Sequence, residues 1–158
     1  MRAGLLKYPL KSLGPGKRVG FWTKGCKRGC YNCMTPNFWA YNQEDEHEIA
    51  EIILDIKTAT NNKANKITIS GGEPFDNKDF KDFLFALRKE GFNDILVYTG
   101  YTFTELKHKF TDLDEILNNI DVLVSGPYID RLNNNSTLKG SSNQRIRIFN
   151  SKLVNEYI

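Results

Sequence analysis

Apolar positions along the chain fall into two alternating patterns: short β-branched or aromatic runs, and longer stretches in which apolar residues recur every three or four positions. The runs are Arg18 to Thr23, Lys66 to Ser70, Asp94 to Thr99 and Asp121 to Ser125, each bounded by glycine, proline or polar residues, as strands are. Between them, Ile49, Ile52, Ile53 and Ile56 mark one face of a helix from Asp45 to Thr58 with acids in its first turn. Phe80, Phe83, Leu84 and Leu87 mark a second helix, which Asp76 caps and Gly91 stops. Thr102 or Thr104 caps a short helix through Phe110, and Leu113 to Leu117 adds another turn or two. Strand and helix alternate, which predicts a parallel sheet with crossover helices and hence an α/β fold.

The ends of the chain depart from this rhythm. Leu5 to Leu10 is apolar but interrupted by Lys7 and Pro9, too short and broken for a secretory or membrane segment. Gly14-Pro15-Gly16 sets a tight reversal before Arg18. Leu132 to Thr137 is an Asn-rich loop, Lys139 to Arg145 is polar, and Ile146-Arg147-Ile148-Phe149 alternates as a strand does.

A length of 158 residues fits one domain, expected to span 1–158. The net charge of +3 is spread over interspersed acids and bases, so nothing argues for a nucleic-acid partner. With no membrane span or export signal, the expected location is the cytoplasm.

The unusual residues gather where the strands end. After Thr23 come Cys26, Cys30 and Cys33, spaced C-x3-C-x2-C, and the chain has no other cysteine. After the Lys66 strand comes Gly71-Gly72-Glu73-Pro74, after the Asp94 strand Gly100-Tyr101, and after the Asp121 strand Gly126-Pro127. Parallel α/β folds bind ligands at the carboxyl ends of their strands, so one rim collects the candidate chemistry. Gly71 and Gly72 are expected to let backbone amides approach a ligand, and Trp39 to be a buried wall beside the cysteines.

Three centres suit thiolates at this spacing. A structural zinc needs four ligands, and His47 and His108 have no partner at zinc-finger spacing. A disulfide would leave one thiol over. A cubane cluster normally takes four cysteines, so three would leave one iron with an open coordination position.

The C-x3-C-x2-C loop resembles the cluster loop of the radical S-adenosylmethionine superfamily, and Gly71-Gly72-Glu73-Pro74 resembles the motif that holds the methionyl amino group there. Gly14 to Arg18, Tyr98 to Thr102, Asp121 to Gly126 and Gly140 to Arg145 extend the likeness to the activating proteins of anaerobic ribonucleoside-triphosphate reductase. The resemblance implies an open partial (βα) barrel of the radical-SAM type and a [4Fe-4S] cluster on Cys26, Cys30 and Cys33. It also implies S-adenosylmethionine bound by Gly71, Gly72, Glu73, Asn32, Thr99 and Tyr101. Asn32 stands where many members of the superfamily carry an aromatic residue, so a contact there would use its backbone. The implied activity is reductive cleavage of S-adenosylmethionine to place a glycyl radical on a large partner enzyme, the anaerobic ribonucleotide reductase. An electron donor such as flavodoxin or ferredoxin is implied as well. Two other functions remain open: a radical enzyme acting on another glycyl radical enzyme, a peptide or a small molecule, and a cluster-carrying module that cleaves nothing. Glu73 speaks against the last, since electron transfer needs no ligand for an amino group.

Overall fold

In the computed structural model, which describes residues 1–158, six strands form one sheet in the order in which they occur in the chain. They are β1 (Ala3–Leu10), β2 (Arg18–Thr23), β3 (Lys66–Gly71), β4 (Asp94–Thr99), β5 (Val122–Ser125) and β6 (Arg145–Ile148). β2 to β5 run parallel, while β1 and β6 add antiparallel edges. The crossovers carry α1 (Ile49–Thr60), α2 (Phe80–Lys89), and α3 (Phe103–Lys109) with α4 (Leu113–Leu117); α5 (Val154–Tyr157) ends the chain. No helix is long and apolar enough to cross a membrane.

The strands are apolar on both faces because both faces are covered, at least in part. Ile95 and Val97 join the large cluster under α1 to α4, with Phe83, Leu84 and Leu87 from α2. Leu96, between them, points the other way and packs with Val122, Val124, Leu153 and Tyr157. Near the carboxyl ends of the strands this second face leaves space. Trp22, Ser70 and Tyr98, from three neighbouring strands, line a cavity there. Helices α1 to α4 thus back one face of the sheet, while the C-terminal turn with α5 and the cavity share the other.

At the opposite ends of the strands, Arg18 and Asp94 form a fully buried ion pair at 3.0 Å. Arg18 also donates to the carbonyls of Pro15 and Ile67, and the Tyr157 hydroxyl donates to Asp94 Oδ1 at 2.6 Å. One buried knot therefore ties the starts of β2 and β4 to the last turn of the chain.

Four parallel strands, three crossovers and the alternating tail strand lie where the pattern places them. β1 does not appear in that pattern, because it is an edge strand with two breaks in register, Lys7 and Pro9 within it, and Leu5 left 46% exposed. Helix starts also differ. Gln43 to Asp45 is a separate 3₁₀ turn capped by Asn42, and α1 begins at Ile49 behind a Glu48/Glu51 capping box. Asp76 does not cap α2. It closes a 3₁₀ turn of Pro74–Asp76 that Pro74 enforces, and Asp79 holds the position before the helix. The Thr102 cap is present, reciprocated by Glu105.

Candidate functional site: a cysteine loop over the strand ends

The cavity, of about 570 Å³, collects Cys26, Cys30 and Cys33 with Gly71, Gly72, Glu73 and Thr99. Its volume suits a small-molecule ligand.

The cysteine loop is seated on the sheet by backbone bonds. Gly25 and Cys26 N–H donate to Phe38 O and Trp39 O, closing the loop on itself. Gly72 N–H donates to Thr23 O at 2.8 Å and Glu73 N–H to Gly25 O at 2.9 Å, so the turn after β3 grips the loop's root. Such closeness requires glycine. A β-carbon on Gly72 would stand 2.6 Å from Gly25 O, and Gly71 has a φ of +108° besides. Of the two amides expected to approach a ligand, those of Gly71 and Gly72, the Gly72 N–H is instead spent on the root of the loop, as is that of Glu73.

All three cysteines are free and partly exposed. Burial and the nearby carboxylates of Glu73 and Asp76 push the Cys26 thiol above its usual range, against an amide bond from Arg28 that lowers it. Thr35 N–H points at Cys33 Sγ from 3.4 Å, and the Thr35 hydroxyl donates to Gly71 O at 3.1 Å. No motif distinguished Thr35, since its role depends on the strand end that folds against it. The donor set is three cysteine thiolates in one loop; in a cubane each thiolate meets a different iron, whereas a structural zinc takes four protein ligands, so the residues present suit a cluster.

Glu73 is the polar centre of the site. It has no solvent exposure, and three donors hold its carboxylate: the Thr99 hydroxyl at 2.7 Å and Phe75 N–H at 3.2 Å on Oε1, and Gly100 N–H at 2.8 Å on Oε2. Burial outweighs these bonds and pushes its pKa up to about 7. A carboxylate has room for about four hydrogen bonds, so Oε2 keeps capacity for a cationic ligand. Thr99 acts through Glu73, because its hydroxyl proton is already committed.

Asn32 and Tyr101 do not line the cavity. Asn32, at a φ of +51°, donates its side chain to Asp130 Oδ2 at 3.2 Å. Tyr101 donates to Asp76 Oδ1 at 2.7 Å, its ring lying under the Arg28 guanidinium and beside Lys109. Trp39 borders the cavity but is 36% exposed; the buried aromatic of that turn is Phe38.

The polar tail segment has a definite task. Gln144 Oε1 accepts from Gly140 and Ser141 N–H while its Nε2 donates to Gly126 O at 2.9 Å. Asn143 donates to Pro127 O, and Ser141 Oγ accepts from Ile129 N–H. These bonds fold the β5–β6 connection into an arch whose residues Asn133 and Asn135 to Gly140 form part of the cavity wall. The Tyr98 hydroxyl pins the arch at Leu138 O.

The cysteine loop and the buried carboxylate of Glu73 thus share one cavity at the strand ends. The model of the 4Fe-4S single cluster domain family matches residues 12–147. The chain is 34% identical over 144 residues to the anaerobic ribonucleoside-triphosphate reductase-activating protein of Pasteurella multocida, covering 86% of this chain and 90% of that one. It is 27% identical to the protein of the same name from Enterobacteria phage T4, over 84% and 85% of the two chains. The pyruvate formate-lyase-activating enzyme of Staphylococcus aureus is 28% identical over 89% of this chain but only 58% of its own. The chain therefore belongs to the 4Fe-4S single cluster domain family and, within it, to the radical S-adenosylmethionine activating proteins. A [4Fe-4S] cluster and S-adenosylmethionine are the cofactors of this class.

Proposed function

We propose that this chain is the activase of an anaerobic ribonucleoside-triphosphate reductase and installs a glycyl radical on it. The observation that carries the reading is a likeness to the Pasteurella multocida activating protein running over nine-tenths of that protein's length. The much smaller share of the Staphylococcus aureus lyase activator that is covered makes the lyase the weaker choice of partner.

In this reading residues 1–158 work as one domain, and the sheet is the open partial barrel of the radical-SAM type. Cys26, Cys30 and Cys33 hold the cluster, Gly71 and Gly72 seat its loop, and Glu73 faces the amino group of S-adenosylmethionine. When bound, the reduced cluster and S-adenosylmethionine supply a carbon-centred radical that abstracts hydrogen from a glycine. The protein's part is positioning and exclusion of water. Thr99 and Gly100 orient Glu73, Thr35 directs an amide at Cys33, and the Gln144-braced arch walls the cavity. The reaction runs in the cytoplasm with an electron donor such as flavodoxin or ferredoxin.

The substrate in this reading is a protein, since a sheet with two unpaired edges leaves the rim open for a polypeptide loop. The test is anaerobic incubation of the reconstituted chain with reductant, S-adenosylmethionine and the reductase. Methionine should form slowly without the reductase and in near-stoichiometric amount with it, and the reductase should gain activity. Rapid turnover of a small molecule with no protein partner would overturn the reading.

A further inference from the structure

Two cationic side chains line the cavity, Arg28 and Lys139, and the fold fixes the first of them with unusual care. Arg28 lies within the cysteine loop, between Cys26 and Cys30. Its guanidinium carbon is 4.8 Å from the centre of the Tyr101 ring, and Nη2 is 3.6 Å from Glu105 Oε1. Tyr101 is itself held by Asp76 and Lys109. The Arg28 stem crosses Gly100. A β-carbon there would stand 2.8 Å from Arg28 Nε and 3.4 Å from Glu73 Oε2. The end of the Arg28 stem and the buried carboxylate thus both lie beside one glycine, and both residues line the same cavity.

A neighbouring cation and anion are what an α-amino acid group demands, because its carboxylate and ammonium stand on a single carbon. Glu73 Oε2 accepts from Gly100 N–H alone, leaving capacity for an ammonium. Arg28 carries five N–H donors; stacking uses the face of its plane, and the Glu105 contact at 3.6 Å is too long for a good hydrogen bond. Donors at its edge therefore remain for a carboxylate, in the geometry that guanidinium suits best.

We propose that Arg28 binds the methionyl carboxylate of S-adenosylmethionine while Glu73 accepts a hydrogen bond from its amino group, so that Arg28 is a ligand-binding residue and Tyr101, Gly100 and Glu105 are positioning residues for it. The assignment rests on the function proposed above. It also gives Tyr101 work beyond the cavity: it is the platform under the arginine.

The experiment compares S-adenosylmethionine with its decarboxylated analogue by equilibrium binding to cluster-loaded protein, with iron per chain measured in each sample. Arg28→Gln should weaken S-adenosylmethionine about tenfold or more, the value of a lost charge-assisted hydrogen bond, and change the analogue less than about twofold. Arg28→Lys should recover part of the loss, and Tyr101→Ala should reproduce part of it with iron content intact. Equal losses for both ligands, or none for either, would overturn the assignment and leave the proposed function standing. A carboxylate-selective loss in Lys139→Gln with Arg28→Gln neutral would overturn it likewise. Wild-type protein that carries its cluster and binds neither ligand would overturn the proposed function together with this assignment.

Discussion

The Thr99 hydroxyl donates to Glu73 Oε1 across 2.7 Å, joining the carboxyl ends of β3 and β4 around one buried carboxylate. Neither residue is exposed. The bond makes the orientation of this cavity-lining carboxylate depend on a residue from the adjacent strand.

Glu73→Ala should therefore leave iron content intact and weaken S-adenosylmethionine binding by roughly 1.5–3 kcal/mol, the worth of a hydrogen bond to a charged group. Thr99→Val should weaken it less, by about 1 kcal/mol, through loss of orientation. Equilibrium binding on cluster-loaded protein checks both, and unchanged affinity in Glu73→Ala would reduce the Gly-Gly-Glu-Pro turn to a structural one.

The same carboxyl gives the fold a pH signature. Its pKa rises from 4.5 to about 7 on folding, so between those values the folded chain holds a proton that the unfolded chain has released. Stability from this group is greatest below pH 4.5 and is lost as pH rises towards 7. At about 1.4 kcal/mol per pKa unit, the loss is of order 3 kcal/mol. Urea titrations of cluster-free protein should show it in the wild type and not in Glu73→Gln; a difference between the two that does not vary with pH would contradict it.

Changing any one of Cys26, Cys30 or Cys33 to Ala should abolish stable cluster binding, because two thiolates hold a cubane poorly. Anaerobic reconstitution with iron and sulfide counts reads the outcome. Tightly bound zinc in the wild type, with no iron, would contradict the cluster assignment.

At the far end of the sheet, Asp94→Asn should destabilise the fold by about 3–5 kcal/mol, since it leaves Arg18 charged and buried without its partner. Chemical denaturation measures it, and the iron chemistry of surviving folded protein should be unchanged.

How much of this could be read in the sequence follows from how local each determinant is. The strands around Ile67, Ile95 and Leu123 are short apolar runs between breakers, and the cysteines need only their spacing, so pattern alone locates them. β1 escaped because an edge strand need not be apolar; pairing with β2, not burial, holds it. Asp76 precedes a helix at plausible capping distance, but Pro74 turns the chain first and leaves the carboxylate facing Tyr101 and Lys109. Arg28, Thr35 and Gln144 act through partners far away in sequence. Their contacts with Tyr101, Gly71 O and Gly126 O exist only once the sheet has formed.

The central claim is that hydrogen moves from a glycine of the partner protein to a radical generated in the cavity below the cysteine loop. It is tested most directly by supplying a reductase labelled with Cα-deuterated glycine and following both partners after anaerobic reaction. The account predicts one deuterium in 5′-deoxyadenosine and an electron paramagnetic resonance signal on the reductase whose α-proton doublet, seen with unlabelled glycine, collapses to a singlet. Unlabelled 5′-deoxyadenosine with no radical on the reductase would contradict it.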